Sequence, residues 1–242
     1  MLDENVVLIT GGSKGIGKEL ALYFGQSGAK VAICARNEQA LKNAASKVIE
    51  EGGVCLPIAA DISDQEQVQA MVSKVEAELG PVDILINNAA ELSLSTIVET
   101  SLTDWERTMA INVRGVFLCC KAVLPGMMSR KTGRIINIGS LAGRRGYPEQ
   151  GAYCASKHAL VGLTKVLAIE TQGYGIRVNM VSPGGVMTDL SAALRDSRGG
   201  VEESEWMTPA EVAEAVLYIC SQDGAAITDE LVLRRFASEP WR

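Results

Sequence analysis

Histidine is almost missing from this chain: its 242 residues contain one, His158. A multi-histidine metal centre is thereby excluded, and a Ser-His-Asp hydrolase would have to use that single residue, which directly follows Lys157 in an expected helix. The six cysteines (Cys34, Cys55, Cys119, Cys120, Cys154, Cys220) show neither zinc-site spacing nor the density of a disulfide scaffold, so they read as reduced core thiols. Positive charge is also in short supply. A formal net charge of -6 argues against nucleic acid or an anionic membrane as the main partner. The stretch Met1 to Asn5 is acidic and leads into no long apolar run, unlike a signal peptide, and no segment reads as apolar for long enough to span a bilayer. The expectation is a cytoplasmic protein. No repeat or low-complexity linker divides the chain, and 47% hydrophobic residues are ample for one core, so residues 1–242 are expected to form a single domain.

What is present is an alternation of short β-branched runs with amphipathic segments. Val6 to Thr10 meets the glycine turn Gly11-Gly12-Ser13-Lys14-Gly15-Ile16-Gly17, after which Glu19 to Phe24 reads as a helix. Strand, glycine turn and helix in that order form a phosphate cradle, because absent side chains allow a tight turn and close backbone approach to a pyrophosphate. Lys30 to Ala35 is the second strand. At its end an NAD-preferring unit places an acid for the ribose 2'-hydroxyl; here Ala35 is followed by Arg36, and Lys14 lies in the turn. Two cations without the acid favour NADP(H) over NAD(H).

Further strands are expected at Val54 to Ala60, Val82 to Ile86, Arg134 to Ile138, Ile176 to Val181 and Glu230 to Arg234, with helices at Gln65 to Leu79, Thr103 to Met128, around Tyr153, and at Pro209 to Cys220. The pattern predicts an α/β fold: a Rossmann-type, doubly wound parallel sheet of about seven strands with helices on both faces. Asp61-Ile62 stands at a strand carboxyl end, where Asp61 could cap the next helix, cap the turn before it, or bind an adenine amino group. Asn87 at the end of another strand is expected to tie neighbouring loops, and Asn112, inside an apolar helical run, must hold a water or bond the backbone. Tyr153 and Lys157, four apart on a helix, share a face where the ammonium would lower the phenol pKa. Residues 189–207 are polar and weakly periodic, which suggests a substrate loop at a pocket mouth.

In order and spacing, the motifs from Thr10 to Gly17, Asp61, Asn87 to Ala90, Asn112, Ser140, Tyr153 with Lys157, and Pro183-Gly184 make the chain resemble the short-chain dehydrogenase/reductase family over its whole length. The resemblance implies a catalytic set of Asn112, Ser140, Tyr153 and Lys157. It implies that Gly11, Ser13, Lys14, Gly15, Ile16, Gly17, Arg36, Asp61, Ile62, Asn88, Tyr153, Lys157, Pro183, Gly184, Val186 and Thr188 hold an NADP(H) cofactor. In that set Tyr153 is the general acid, Ser140 steadies the carbonyl oxygen, Lys157 binds the nicotinamide ribose, and Asn112 holds a water leading to solvent. The activity implied is reduction of a ketone or aldehyde, with a 3-oxoacyl thioester on acyl-carrier protein or CoA as the alternative substrate and a non-catalytic NADPH sensor as a remote one. Arg130, Lys131, Arg144 and Arg145 could attract an acidic carrier. Family habit implies a homotetramer or homodimer through the helices of Asn112 and Tyr153. Two departures stand out: Ala90 replaces a frequent glycine, and the end of the chain lacks the usual Asp-Gly-Gly turn.

Overall fold

The computed structural model describes residues 2–197 and 205–240. Seven strands form one parallel sheet: β1 (Val6–Thr10), β2 (Lys30–Ala35), β3 (Val54–Ala59), β4 (Ile84–Asn87), β5 (Gly133–Ile138), β6 (Ile176–Pro183) and β7 (Glu230–Leu233). Their order across the sheet is β3-β2-β1-β4-β5-β6-β7. The expected doubly wound α/β fold is therefore the observed one. Winding reverses between β1 and β4, and at such a switch point the diverging crossovers leave a crevice beyond the strand carboxyl ends.

Alternation along the strands supplies two cores, one on each face of the sheet. Val7 and Ile9 point to one face, which is covered by α1 (Gly15–Gln26), α2 (Glu38–Glu50) and α8 (Pro209–Cys220) through Leu20, Phe24, Leu41, Val48, Val212 and Val216. Val6 and Leu8 point to the other, covered by α3 (Gln65–Glu78), α5 (Val116–Arg130) and α6 (Gly151–Thr171) through Val68, Met71, Val123, Met127, Leu160 and Leu167. All six cysteines are free and buried.

The expected long helix is present, with an interruption. It runs as α4 (Leu102–Met109), a π-helical stretch Ala110–Gly115 and then α5. A π segment widens the helix by one residue and re-aims the side chains that follow, and such segments gather at functional sites. Spanning 29 residues, Leu102–Arg130 is long and apolar enough by length and composition to cross a bilayer, which corrects the expectation that no stretch qualifies. In the fold its apolar side, including Val116, Leu118, Cys119 and Cys120, is spent on the sheet. Strand β6 also extends beyond the expected Val181, because β7 pairs with Ser182 and Pro183.

The carboxyl half of the sheet is locked to α6 by a buried polar chain. Asn87 of β4 donates to Asn137 Oδ1 of β5 at 2.8 Å, Asn137 donates to Thr164 Oγ1 of α6 at 2.8 Å, and Thr164 returns its proton to Leu160 O at 2.7 Å. The tie that Asn87 makes is thus to a neighbouring strand, with a further contact to Cys120 Sγ, where a loop had been expected. An unmade buried hydrogen bond costs more than a made one contributes, so this chain fixes how α6 sits on the sheet. Substitution Asn137→Leu, of similar volume, is expected to lower unfolding stability by about 1–3 kcal/mol in urea titrations, since it removes the oxygen acceptor of Asn87 and the donor to Thr164 at once.

Candidate active site

The crevice at the switch point is a cleft of about 700 Å³. Its first wall is the glycine turn. Gly11 has φ +69 and Gly15 φ +53, left-handed values that disfavour side chains. A Cβ on Gly11 would lie 2.8 Å from Ala89 Cα, and one on Gly17 would lie 2.3 Å from Gly11 O and 2.5 Å from Asn88 Nδ2. That space is taken by Asn88, whose amide donates to Thr10 O at 2.9 Å and Gly11 O at 3.2 Å. Thr10 Oγ1 in turn accepts from the backbone N–H groups of Asn88 and Ala89, at 3.0 and 3.1 Å. Gly11, Ser13, Lys14, Gly15 and Ile16 all line the cleft, whereas Gly17 is buried behind them as a packing glycine.

The start of α1 is made for an anion. Its N-cap, Lys14, offers no side-chain acceptor, and the first turn contains no acid. The leading N–H groups are left for a ligand at the positive end of the helix dipole. Arg36, Asp61, Ile62 and Asn88 continue this wall, and Pro183, Gly184, Val186 and Thr188 close the far side. Of the two capping roles open to Asp61, the structure shows the turn cap: its Oδ1 accepts from Ser63 N at 2.9 Å and Ser63 Oγ at 2.7 Å, while Asp64 caps α3. Two carboxylates were not anticipated. Asp189 lies 3.2 Å from Lys14 Nζ, and Glu91 lies 3.9 Å from Arg36 and 2.5 Å from Arg107. Nothing in a one-dimensional pattern marks them, because each meets its cation only across a loop.

Ser140, Tyr153 and Lys157 line the same cleft. Strand β5 delivers Ser140, whose Oγ accepts from Ala142 N at 3.1 Å and contacts the Tyr153 hydroxyl. Lys157 is 3% exposed; its Nζ donates to Ile138 O at 2.8 Å and lies 5.6 Å from the centre of the Tyr153 ring. Burial pushes the phenol up to about 12, against a smaller lowering by the Ser140 hydrogen bond. Burial also pulls the lysine down to about 8. The sequence led us to expect a phenol lowered by its lysine; in the folded chain burial raises it instead, and the opposing effect comes from Ser140.

Asn112 does not line the cleft. Its Oδ1 accepts from Glu91 N at 2.7 Å, and its Nδ2 donates to Glu91 O at 2.9 Å and to Ser156 Oγ at 3.0 Å. Ser156 then donates to Tyr153 O at 2.7 Å. Of the two options for a polar group in an apolar run, the side chain takes the backbone bond, and it pins the loop after β4 against α6. His158 is exposed on the opposite side of that helix turn, with Nδ1 on Cys154 O at 2.8 Å, which removes it from any nucleophile-activating position.

Residues 5–199 match the sequence profile of the short chain dehydrogenase family. The chain belongs to that family. As a short-chain dehydrogenase it is 37% identical to D-threitol dehydrogenase of Mycolicibacterium smegmatis, over 93% of this chain and 89% of the relative. It is 34% identical to a 3-oxoacyl-acyl-carrier-protein reductase of Chlamydia muridarum, over 96% of both. Among solved structures it superposes on a variant actinorhodin polyketide ketoreductase, determined with NADPH, with a TM-score of 0.89 and 35% identity, over 97% of this chain and 96% of that one.

The loop expected at 189–207 is partly visible in this dehydrogenase. Asp189–Ser191 is a 3-10 turn, α7 (Ala192–Ser197) follows, and Met207 pairs with Val186; residues 198–204 lie outside the described residues. Leu92, Tyr147 and Gln150 also line the cleft.

A buried lysine with a depressed pKa makes stability depend on pH. The unfolded chain holds the Lys157 proton up to its ordinary value of 10.5, while the folded chain releases it near 8. Between those values the unfolded state binds more protons, so stability rises with pH; below 8 the full cost of the buried charge is present. Lys157→Met is therefore expected to match or exceed the parent in urea unfolding at pH 6.5, and to lose that advantage by pH 10.

Proposed function

We propose that this short-chain dehydrogenase is an NADP(H)-dependent reductase converting a ketone or aldehyde to an alcohol, with Tyr153 as general acid. The reading is carried by the Ser140–Tyr153 hydroxyl contact lying in one cleft with the glycine cradle, above a buried lysine. The cradle fits a dinucleotide: its backbone leaves no room for side chains, its helix start is uncapped, and Lys14 and Arg36 are exposed at its rim. A bound nicotinamide supplies the hydride. The protein must handle the charge that develops on the carbonyl oxygen. Ser140 Oγ already accepts from Ala142 N, which leaves its own proton available to donate. Tyr153, held protonated by burial, is poised to donate, and a protonated Lys157 beneath it steadies the phenolate left behind. Asn112 acts through Glu91 and Ser156 as a positioning residue.

NADP(H) is favoured over NAD(H) because Arg36 follows the uncharged Ala35, and the solved ketoreductase holding NADPH supports this. Glu91 competes for Arg36, but at 3.9 Å from an exposed guanidinium, and with Glu91 already bonded to Arg107, the pair is weak and yields to a phosphate. The thioester reading gains from the similarity to a carrier-protein reductase. It loses two of the proposed carrier contacts, since Arg130 is bonded to Val82 O and faces Asp83, and Arg144 is paired with Glu230. A cofactor sensor would not need the assembled Ser140, Tyr153 and Lys157. Exposed Leu102, Trp105, Phe117, Val166 and Ile169 on the α4–α5 and α6 helices support a homotetramer or homodimer, whose mass sedimentation measures directly.

Tyr153→Phe is expected to lower turnover of simple ketones at least about a thousandfold while NADPH still binds, as followed by fluorescence titration. Equal activity of that variant would sink the mechanism. Arg36→Leu is expected to reduce the NADPH over NADH preference in kcat/KM by about 10–100-fold, the worth of a charge-assisted fork.

A further inference from the structure

The segment after β7 departs from the family pattern, and it folds back over the cleft. Arg235 and Ser238 both line the cleft that holds Ser140 and Tyr153. The fold-back is tight: a Cβ on Gly185 would lie 2.7 Å from the Trp206 ring and 3.4 Å from Arg235 Cδ, and one on Gly184 would lie 3.1 Å from Leu141 Cδ1. Arg235 therefore stands beside the glycine pair whose other side touches the residue after Ser140, on the substrate side of the cleft.

The cations of the cleft are not equivalent. Lys14 is paired with Asp189, Arg36 faces Glu91, and Arg145 is bonded through Nε to the Tyr147 hydroxyl at 2.7 Å. The Arg235 guanidinium lies 5.1 Å from the centre of the Trp206 ring and uses Nε on Ser238 Oγ at 3.2 Å. Its Nη1 is buried, has no hydrogen-bond partner, and forms no ion pair among the described residues. Arg195 adds a second guanidinium 5.9 Å from the same indole, with its Nη1 spent on Thr188 O and Ser191 Oγ. A buried guanidinium nitrogen without an acceptor is costly, and it is retained where a ligand supplies one. The aromatic plane holds the fork in a fixed orientation, the geometry that recognises a carboxylate through two parallel bonds.

We infer that the carbonyl substrate carries a carboxylate, and that Arg235 binds it. This rests on the reductase reading and names its substrate class, an oxo acid. The other side of the site chemistry is unchanged: Tyr153 and Ser140 face the carbonyl, and Arg235 holds the acid end and sets which carbonyl compounds are accepted.

The test is steady-state kinetics with NADPH on levulinate and acetoacetate, each against its methyl ester. The parent enzyme is expected to favour acid over ester in kcat/KM by at least about tenfold, as a desolvated charge-assisted fork provides. Arg235→Gln is expected to bring that ratio close to one, with the loss entering through KM, and Arg235→Lys, which keeps charge without the fork, to fall between. A parent that favours the esters, or an Arg235→Gln variant that loses acid and ester equally, overturns the inference; the second is the mark of a purely structural arginine. Turnover of uncharged ketones without preference for acids would remove the inference and leave the reductase reading standing. No turnover of any carbonyl would remove both.

Discussion

The amide of Asn88 occupies the space that two glycines vacate, and the cleft depends on that contact. With Gly11 and Gly17 bare, β1 and β4 can bring their carboxyl ends together, and Asn88 bonds both carbonyls of the turn. Thr10 completes the lock from the other side. A methyl group at Gly17 would collide with backbone that has nowhere to retreat, since the turn is held by β1 and its partner β2 through Gly11 N and Gly12 N on Cys34 O. The glycine turn is therefore shaped as much by its own protein neighbours as by any phosphate. Everything further along the cleft takes its position from this junction.

From there the site is built by transferring constraint across the sheet. Asn87, Asn137 and Thr164 carry it from β4 through β5 to α6, and Asn112 carries it from the π segment to Glu91 and to Ser156. Between them they hold the one turn of α6 that contains Tyr153 and Lys157. That turn is expensive. Each of the two groups is displaced from its ordinary pKa in the direction of its neutral form, and burial is the cause in both. The fold tolerates a partly desolvated cation under a phenol because the surrounding hydrogen bonds leave it no other place, which is the usual relation between a functional site and the stability it forgoes.

Much of this was legible in the chain. Short β-branched runs and helical patterns located all seven strands and most of the helices, though not α2 (Glu38–Glu50), because buried strands and one-sided helices must be apolar where they meet the core. The glycine turn was recognisable from its place between a strand and a helix, Tyr153 and Lys157 from their helical spacing, and Ser140 only through the family resemblance. Asn137 escaped notice although it carries the same signal as Asn112, a lone amide in an apolar run. The π segment was invisible because Ala110 to Gly115 has an ordinary helical composition, and only the approach of Gly115 to Ile62, where a Cβ would lie 2.7 Å from Cδ1, shows how tightly that turn is seated.

By itself the sequence determined the parallel α/β architecture and the types of side chain at the strand ends, since these follow from local patterning; the strand order, and with it the β1/β4 reversal that opens the cleft, came with the tertiary structure. Only the tertiary structure decided which charges meet. Asp189 with Lys14, Glu91 with Arg36 and Arg107, and Arg235 over Trp206 are all pairings across loops that no spacing rule encodes. It also reversed the sign of the tyrosine shift. Desolvation depends on how many atoms from distant parts of the chain surround a group, so the loss of water that raises this phenol is settled only when those parts pack together.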